Sequence, residues 1–346
     1  MFEIREAIPA DNHELLGLEA QSPQGTGIAI LIDREDYFYR SRMHERAKVL
    51  LAVEDGRIVG VMAFAIKDVL IDGKPDRAAY FYDLRGEAGY RRSMKRGLLR
   101  LWNAVLAEIE AAGSAFLYGH VKCDNTDSLN VVTRMNASAA ASFDILTLPS
   151  LRGKAPELDP HLETLEAELD RIQEAVGPRS LRPLDFGAAY RRGAELGYLR
   201  GIYRIERGTS SAQVSAWDLS SIYRGRVVHM PSSLRVLGAF LNPLARAFPL
   251  PRVPRVGQQI AYLQLFDPIC RGPRGHEALR DLVATIRRNA YAEGIDILTL
   301  FLYRDDPLAR LPRFFPDTAL GYHTMVRPVA RATLPPTPLY LDIRDI

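Results

Sequence analysis

Cysteine is scarce in this chain of 346 residues, and Cys123 and Cys270 are too few and too far apart for a disulfide framework or a metal cluster. No apolar run approaches the roughly 20 residues of a membrane-spanning helix. The chain is charged from Glu3 onward and shows no signal-peptide core. A formal net charge of +3 gives no bulk electrostatic argument for nucleic acid. We therefore expect a cytoplasmic protein without a metal, with no membrane partner, and with nucleic acid unlikely as a ligand on charge grounds.

The length predicts about two domains, and 47% hydrophobic with 25% charged residues is typical of a globular chain. Pro160 to Val176 has a helical apolar stripe and is followed by Gly177-Pro178. We take it as the centre of a helical linker, 151–180, between domains 1–150 and 181–346. The stripe could equally belong to a homodimer interface.

The most informative stretch runs from Tyr80 to Val121 and predicts a strand, a basic loop, an amphipathic helix and a second strand. Between Gly86 and Gly97 the loop carries four cations, namely Arg91, Arg92, Lys95 and Arg96. The first turn of a helix has unpaired N–H groups and the positive end of the helix dipole, so such a loop suits a phosphate or pyrophosphate. The alternative is a solvated connection that happens to be basic.

The loop resembles the signature of the GNAT superfamily of acyl-CoA N-acyltransferases, Arg/Gln-x-x-Gly-x-Gly/Ala. The register Arg92-Ser93-Met94-Lys95-Arg96-Gly97 matches it in part, with Lys95 in place of the first glycine. A second register, anchored on Asp83-Leu84-Arg85 and Tyr90-Arg91, puts Met94 and Arg96 at the glycine positions. The resemblance implies acetyl-CoA, or another acyl-CoA, as co-substrate, with its pyrophosphate held by a set of loop residues: Leu84, Arg85, Arg91, Arg92, Ser93, Met94, Lys95, Arg96 and Gly97.

The order of the remaining elements supports this resemblance. Phe2 to Ala7 predicts a strand, Asp11 a helix cap, Asp33 to Arg46 a second helix, and Asp55-Gly56 the turn of a hairpin. The Tyr80 strand then takes the place of the family's fourth strand. The strand from Phe116 takes the place of the fifth.

The segment after the fifth strand resembles the family's Asn-x-x-Ala/Ser pattern through Asn125 and Ser128. In the family this asparagine commonly contacts coenzyme A, whereas the alternative for Asn125 is a simple helix cap. Many members place a general-acid tyrosine seven residues later, and this chain has Val132 there.

The second half repeats the first weakly. The offset from Gly113 to Gly294 equals that from Asp124 to Asp305, which indicates an internal duplication. The corresponding loop, Asp267 to Gly275, contains two prolines, which donate no N–H, so we expect the second unit to be structural.

Three further features of the second half are predicted. They are a preceding strand over Val227–Met230, an apolar, proline-bearing insertion over Ser232–Val256, and a late edge strand over Leu339–Ile343.

Acyl transfer to an amine needs a base, a proton donor for the thiolate and a donor for the oxyanion. The resemblance places the reacting centre where strands four and five part, which makes Asp83, Tyr118 and His120 the candidates. Strict alternation puts Asp83 on the face of Phe81, where aromatic neighbours would raise its pKa and make it a base. The alternatives are an ion pair with an arginine for Asp83 and a structural hydrogen bond for His120.

The predicted fold class is α/β, with two tandem GNAT-like units, each a mixed, mostly antiparallel sheet flanked by helices. The resemblance implies an N-acyltransferase that moves an acetyl or other acyl group from acyl-CoA to a small-molecule or aminoacyl amine. The rivals are a non-catalytic acyl-CoA-binding or interaction protein and a transferase that uses a tRNA-carried donor. No sequence feature identifies the acceptor.

Overall fold

A computed structural model describes residues 1–21, 23, 27–87, 94–153, 165–220, 223–245, 247–304, 308, 318–331 and 333–345. At 94–96 and 318 it describes the backbone only.

Fifteen strands are formed by the described residues: β1 Phe2–Glu6, β2 Ala29–Asp33, β3 Ala47–Glu54, β4 Arg57–Ile71, β5 Lys74–Gly86, β6 Phe116–Lys122, β7 Ser138–Pro149, β8 Arg182–Pro183, β9 Leu199–Arg207, β10 Ser210–Trp217, β11 Arg224–His229, β12 Gln259–Ile260, β13 Tyr262–Arg271, β14 Ile297–Tyr303 and β15 Thr318–Pro328. The α-helices are α1 Asn12–Ala20, α2 Tyr39–Arg42, α3 Met94–Ala111, α4 Thr126–Arg134, α5 Leu165–Val176, α6 Phe186–Glu195, α7 Ser232–Leu244 and α8 Gly275–Ala292.

One large sheet organises the molecule, in the order β1-β3-β4-β5-β6-β15-β7-β14-β13-β10-β9, with β8 beside β4. Its neighbouring strands are antiparallel except in two parallel pairs, β5–β6 and β13–β14. Helix α3 packs on β3, β4 and β5, and α8 packs on β9, β10 and β13. A smaller sheet joins β12, β11 and β2. The predicted α/β class, with a mixed, mostly antiparallel sheet flanked by helices, is confirmed.

The repeat seen in the sequence is also present in the elements. Helices α3 and α8 have 18 residues each and start at 94 and 275, while β6 and β14 have seven residues each and start at 116 and 297. The offset is 181 in both cases, the same as from Gly113 to Gly294. The local pattern that specifies the first parallel pair therefore recurs in the second half.

The last strand of each half is exchanged. Strand β15 lies between β6 and β7, and β7 lies between β15 and β14. Each late strand thus pairs with the fifth strand of the other half. The two predicted sheets are joined into one, and the predicted boundary at 150 separates strands that share hydrogen bonds.

Two predicted elements are wrong. In the segment predicted as a helix over Asp33–Arg46, Asp33 is the last residue of β2, which pairs with β11 of the second half, and only Tyr39–Arg42 is helical. The segment Leu339–Ile343 is not an edge strand. It makes one bridge, from Leu339 to Ser180, and ends in a buried turn, Ile343–Asp345. Both segments make contacts with residues distant in the sequence, which a local sequence pattern does not reveal.

Three other expectations change in detail. The strand predicted at Val227–Met230 forms as β11 but belongs to the small sheet, and the insertion contains helix α7. The predicted linker helix is described over Leu165–Val176, and 154–164 lie outside the described residues. Its apolar stripe, Leu169, Ile172 and Val176, is buried within the same chain and is therefore not a dimer interface.

The strand exchange predicts that the fragment 1–150 does not fold alone. In that fragment β7 lacks both of its neighbours, and β6 loses β15, so the backbone groups of two strands lose their partners. Circular dichroism of the fragment should show no cooperative thermal transition. Co-expression with 151–346 should restore one, and a sharp transition of the fragment alone would contradict the exchange.

Candidate functional site

The site is built around the point where β5 and β6 part. Their parallel pairing ends at Tyr80 and Tyr118, although β5 continues to Gly86 and β6 to Lys122. Directly beyond the last pair, a Cβ on Gly119 would lie 2.8 Å from the backbone oxygen of Phe81, so only glycine permits this approach. Beyond this pair, the backbones of β5 and β6 no longer hydrogen-bond to each other, which leaves an opening between the two strands.

Aromatic side chains cover one face of the opening. The rings of Tyr80 and Tyr82 stack at 5.4 Å, and those of Tyr118 and His120 lie within 5.6 Å of the Tyr80 ring. Phe143 of β7 closes the group edge-on against His120. The sheet thus presents a buried aromatic wall at the place where the resemblance puts the reacting centre.

A β-bulge moves Asp83 onto this wall. Tyr82 pairs with Ala63 and Arg85 with Val61, so Asp83 and Leu84 together oppose Met62, and Asp83 has a φ of 50°. The bulge breaks the alternation that the sequence analysis assumed. Leu84 packs on the α3 side with Phe81, and the Asp83 carboxylate faces the arginines over the tyrosines. The predicted face of Asp83 is wrong.

The charge state of Asp83 also differs from the expectation. Burial opposes ionisation, but Arg34, Arg40 and Arg85 outweigh it and lower the pKa of the carboxyl group. Its oxygens lie 3.2 Å from Arg34 and 3.8 Å from Arg40. The raised pKa is therefore wrong, and the alternative, a carboxylate paired with arginines, is what the structure shows.

These arginines belong to a chain of buried charges. Arg34 binds Glu19 through two nitrogens at 2.7 and 3.0 Å, and Arg85 reaches the same carboxylate at 2.8 Å. Arg40 donates to the Tyr80 hydroxyl at 3.0 Å and to the backbone oxygen of Asp345 at 2.7 Å. Asp83 thereby fixes Arg40, and Arg40 fixes the tyrosine wall.

A second charge cluster reaches the wall from the other end of the chain. Lys67 of β4 donates to Asp342 at 2.6 Å and to both oxygens of Asp345 at 2.9 and 3.0 Å. The Tyr118 hydroxyl donates to Asp345 at 2.7 Å, and Tyr80 donates to the Asp345 backbone oxygen. Local sequence reasoning missed Lys67, Asp342 and Asp345. The one available signal was the alternation of charged and apolar residues at the end of the predicted strand.

The pKa values of Asp342 and Asp345 are shifted in opposite directions. Burial raises the pKa of Asp345 despite Lys67, whereas Arg344 and Lys67 overcome burial and lower the pKa of Asp342. Burial and the neighbouring Asp345 raise the pKa of the Tyr118 hydroxyl well above its usual range. Tyr118 and Asp345 therefore form a hydrogen-bonded pair in which the proton stays on the Tyr118 hydroxyl and the Asp345 carboxylate accepts the hydrogen bond.

His120 is neutral in this environment. Burial, with Arg40 and Lys67 nearby, lowers its pKa to about 3. Its Nδ1 lies 3.3 Å from the Thr324 hydroxyl, and its buried Nε2 has no hydrogen-bond partner among the residues that the structure describes. The structural hydrogen bond expected as the alternative is present, and one ring nitrogen is left for a further partner.

The residues expected to hold coenzyme A are placed as follows. Arg91, Arg92 and Ser93 lie outside the described residues, and Met94, Lys95 and Arg96 form the backbone of the first turn of α3. Gly97 is packed on β1, since a Cβ there would lie 3.0 Å from the Phe2 ring.

Arg85 forms an ion pair with Glu19, as described above, and Asn125 caps a helix. The Asn125 side chain caps α4 by accepting from the Ser128 backbone N–H at 3.0 Å. The helix-cap alternative for Asn125 is therefore present, and a contact with coenzyme A stays a prediction.

The second parallel pair has the same bulge with different surroundings. Two residues, Asp267 and Pro268, oppose Val214, and Asp267 has a φ of 50°. Here Tyr190 and Tyr340 donate to the carboxylate at 2.5 and 3.1 Å, and burial raises its pKa to about 6. Beside it the Phe266 and Phe301 rings stack at 4.3 Å and occupy the point where β13 and β14 part. Residues 267–271 lie in β13, so the predicted second loop shortens to 272–274.

Two kinds of feature are absent within the described ranges. Searched there, His, Cys, Asp and Glu form no group of three or more suited to a metal ion. In the same part of the chain, no helix has the length and apolar character needed to cross a membrane.

The fold is similar to that of known acyltransferases. No protein-family model and no curated protein matches the sequence. Among solved structures, Saccharomyces cerevisiae N-myristoyltransferase with bound myristoyl-CoA and inhibitors aligns with a TM-score of 0.58 and 8% identity, over 94% of this chain and 79% of that one. A GCN5-related N-acetyltransferase from Anabaena variabilis aligns with a TM-score of 0.50 and 12% identity, over 95% and 73%.

The chain therefore has the fold of the GNAT-type N-acyltransferases. The alignment with the yeast N-myristoyltransferase covers nearly the whole chain, so the likeness includes both halves of the sheet. At these identities the likeness shows the fold alone.

Asp267 predicts a pH-dependent stability. Its folded pKa of about 6 exceeds the ordinary 3.8, so the folded state binds more protons between these values, and stability falls as pH rises through this window. The loss should reach roughly 3 kcal/mol. In Asp267→Asn this component should vanish, while the amide oxygen still accepts from Tyr190 and Tyr340.

Urea unfolding between about pH 4 and 7 measures the difference, with the exposed Asp124→Asn as the control. Parallel curves for wild type and Asp267→Asn would contradict the raised pKa.

Proposed function

We propose that the protein transfers an acyl group from an acyl-CoA to an amine. One observation carries the proposal: in a GNAT-type fold, the parting of β5 and β6 holds a hydrogen-bonded pair, Tyr118 and Asp345, beside the Nε2 of His120, which has no hydrogen-bond partner among the described residues. The acceptor class is a small-molecule, aminoacyl or peptide amine.

The first turn of α3 supports a CoA pyrophosphate. Its backbone begins at Met94, and the N–H groups of a first turn have no partners within their own helix. In the sequence, the basic residues Arg91 and Arg92 precede it with only Ser93 between. The similar yeast enzyme holds myristoyl-CoA. Since the second opening is filled by Phe266 and Phe301, we propose that the first half binds one acyl-CoA per chain.

The reaction needs little covalent chemistry from the protein. The amine nitrogen forms a bond to the thioester carbon, the carbon–sulfur bond breaks, the amine loses a proton and the thiolate gains one. We assign both proton transfers to the Tyr118–Asp345 pair: the Tyr118 hydroxyl takes up the amine proton as it passes its own proton to the Asp345 carboxylate, and the pair then returns one proton to the thiolate. We assign His120 to a hydrogen bond with the reacting group. Asp83, with its lowered pKa, is a positioning residue that acts through Arg40.

The alternative is a protein that binds acyl-CoA without turning it over. Val132 stands where many family members have their acid, and Tyr118, Tyr80 and Arg40 are already bonded to Asp345. A site whose polar groups satisfy one another is typical of a structural core as well as of a resting active site. Turnover separates the two.

Substitutions at the wall should reduce turnover and spare binding. With the best amine found in a thiol-release screen, Tyr118→Phe and His120→Ala should each lower kcat, and loss of one positioned acid or base typically costs ~10²–10⁴-fold. Asp83→Asn should lower it less, because it acts indirectly. Each variant should keep the thermal shift with acyl-CoA, and Tyr203→Phe in β9 is the control.

Two results would decide against this assignment. Full turnover in both Tyr118→Phe and His120→Ala would place the site elsewhere. Acyl-CoA stabilisation without turnover on any amine would establish the binding protein instead.

The predicted CoA site is tested by a matched pair of double variants. Arg92→Ala with Arg96→Ala should remove most of the acyl-CoA thermal shift, which corresponds to about 2.7 kcal/mol at 100 times the dissociation constant. Arg271→Ala with Arg274→Ala, in the corresponding segment of the second half, should leave it unchanged. Calorimetry should return one site, and two equivalent sites would refute a structural second half.

A further inference from the structure

Helix α7 and the segment after it expose an unusual amount of apolar surface. Among the described residues, seven of the fourteen exposed large apolar side chains lie between 228 and 256. We call five of them the α7 face: Val236, Leu237, Phe240, Leu244 and Phe248. Phe240 is 72% exposed, and its spacing from Val236 and Leu244 places all three on one side of the helix. A contiguous exposed apolar patch, unlike scattered single residues, marks an interaction surface.

The helix is held firmly with this face outward. On the inner side, a Cβ on Gly238 would lie 3.1 Å from the Val253 side chain, so the helix packs closely on the returning segment. The Asn242 amide donates to the Val253 backbone oxygen at 2.9 Å and accepts from its N–H at 2.8 Å. Leu234 packs on the core of the small sheet. The apolar residues of the α7 face are therefore exposed although the helix itself is packed against the protein.

The sequence segment that carries the α7 face contains formal charge of one sign only. From Leu219 to Phe266 the sequence contains six arginines and neither aspartate nor glutamate. Arg235 bonds to the Ser232 hydroxyl at 2.9 Å, and Arg252 lies over the Tyr291 ring at 4.2 Å. No carboxylate in the described ranges forms an ion pair with Arg235, Arg252 or Arg255. These exposed guanidinium groups are available to an anionic partner.

The occupant has to be apolar and anionic together. A protruding helix with Phe and Leu on its outer face and arginines nearby is the arrangement of helices that lie in a membrane interface. A second copy related by a two-fold axis would place the same arginines opposite each other, which opposes self-association. Anionic lipid supplies both the acyl boundary for the apolar row and phosphate for the arginines.

We propose that the α7 face binds the surface of an anionic lipid bilayer. Phe240, Leu244 and Phe248 enter the boundary between headgroups and acyl chains, and Arg235, Arg252 and Arg255 contact phosphates. This is peripheral association and is compatible with the absence of a membrane span from the described helices. It does not depend on acyl transfer.

Co-sedimentation of the full chain with vesicles tests the proposal. Vesicles of phosphatidylcholine with about one third phosphatidylglycerol should bind the protein, pure phosphatidylcholine should not, and added salt should weaken binding. Phe240→Ser combined with Leu244→Ser should abolish binding. Arg235→Gln and Arg255→Gln should each weaken it about five-fold.

The control is Leu196→Ser, at an exposed apolar residue of α6's C-terminal end, which should bind as the wild type does. Melting temperatures should stay unchanged in all variants because the substituted side chains are exposed. Absent binding, equal binding to neutral vesicles, or unimpaired binding of the Phe240→Ser, Leu244→Ser variant would each overturn the proposal. Sedimentation that shows a wild-type dimer abolished by the same double change would assign the face to a second copy.

Discussion

The first half of the molecule depends on the charge partners of one buried lysine, Lys67 of β4. Lys67 has a side chain only 4% exposed, and an ammonium group in such a place requires charge partners. Its partners are Asp342 and Asp345, which stand 275 and 278 residues away in sequence. Arg344 also donates a hydrogen bond to Asp342, and Tyr118 donates one to Asp345. The first half therefore completes its charge balance only when the last described residues dock, and the exchange of β7 and β15 brings the same dependence to the backbone.

Asp83 and Asp267 lie in the same kind of β-bulge but in different surroundings. Asp83 and Asp267 share a positive φ, a bulge and a place where parallel strands part. Arginines surround the first and lower its pKa, whereas burial raises the pKa of the second to about 6 although two phenol groups donate hydrogen bonds to it. A cation-rich site stays polar and suits a charged ligand. A buried carboxyl group with a raised pKa among aromatic rings belongs to a packed core, in agreement with Phe266 stacked on Phe301.

The sequence predicted well what depends on local pattern. The hairpin of β3 and β4, the helix α3 and the offset of 181 between the halves follow from turn residues, apolar spacing and glycine positions. Prediction failed where a distant partner decides the conformation. Of the segment 33–46, Asp33 ends the strand that pairs with β11, and within 339–345 Asp342 binds Lys67 and Arg344 binds Asp185. The face of Asp83 was missed because a single bulge reverses alternation, and no residue type at 83 or 84 requires one.

Val132 stands where the resemblance would place a general-acid tyrosine, and under the proposed function this difference is considered together with Asp345. A transferase that lacks a donor on α4, where Val132 is buried, needs another group with a transferable proton. Tyr118 alone is a poor candidate, since burial holds its proton tightly. Joined to a carboxylate whose pKa burial raises, it can, in the proposed reaction, take up the amine proton while it passes its own proton along the 2.7 Å hydrogen bond, so that no buried phenolate forms. Lys67 limits that rise, because its ammonium group favours the ionised carboxylate. The proton-exchange capacity of the site is thus set by the balance between burial and one buried lysine.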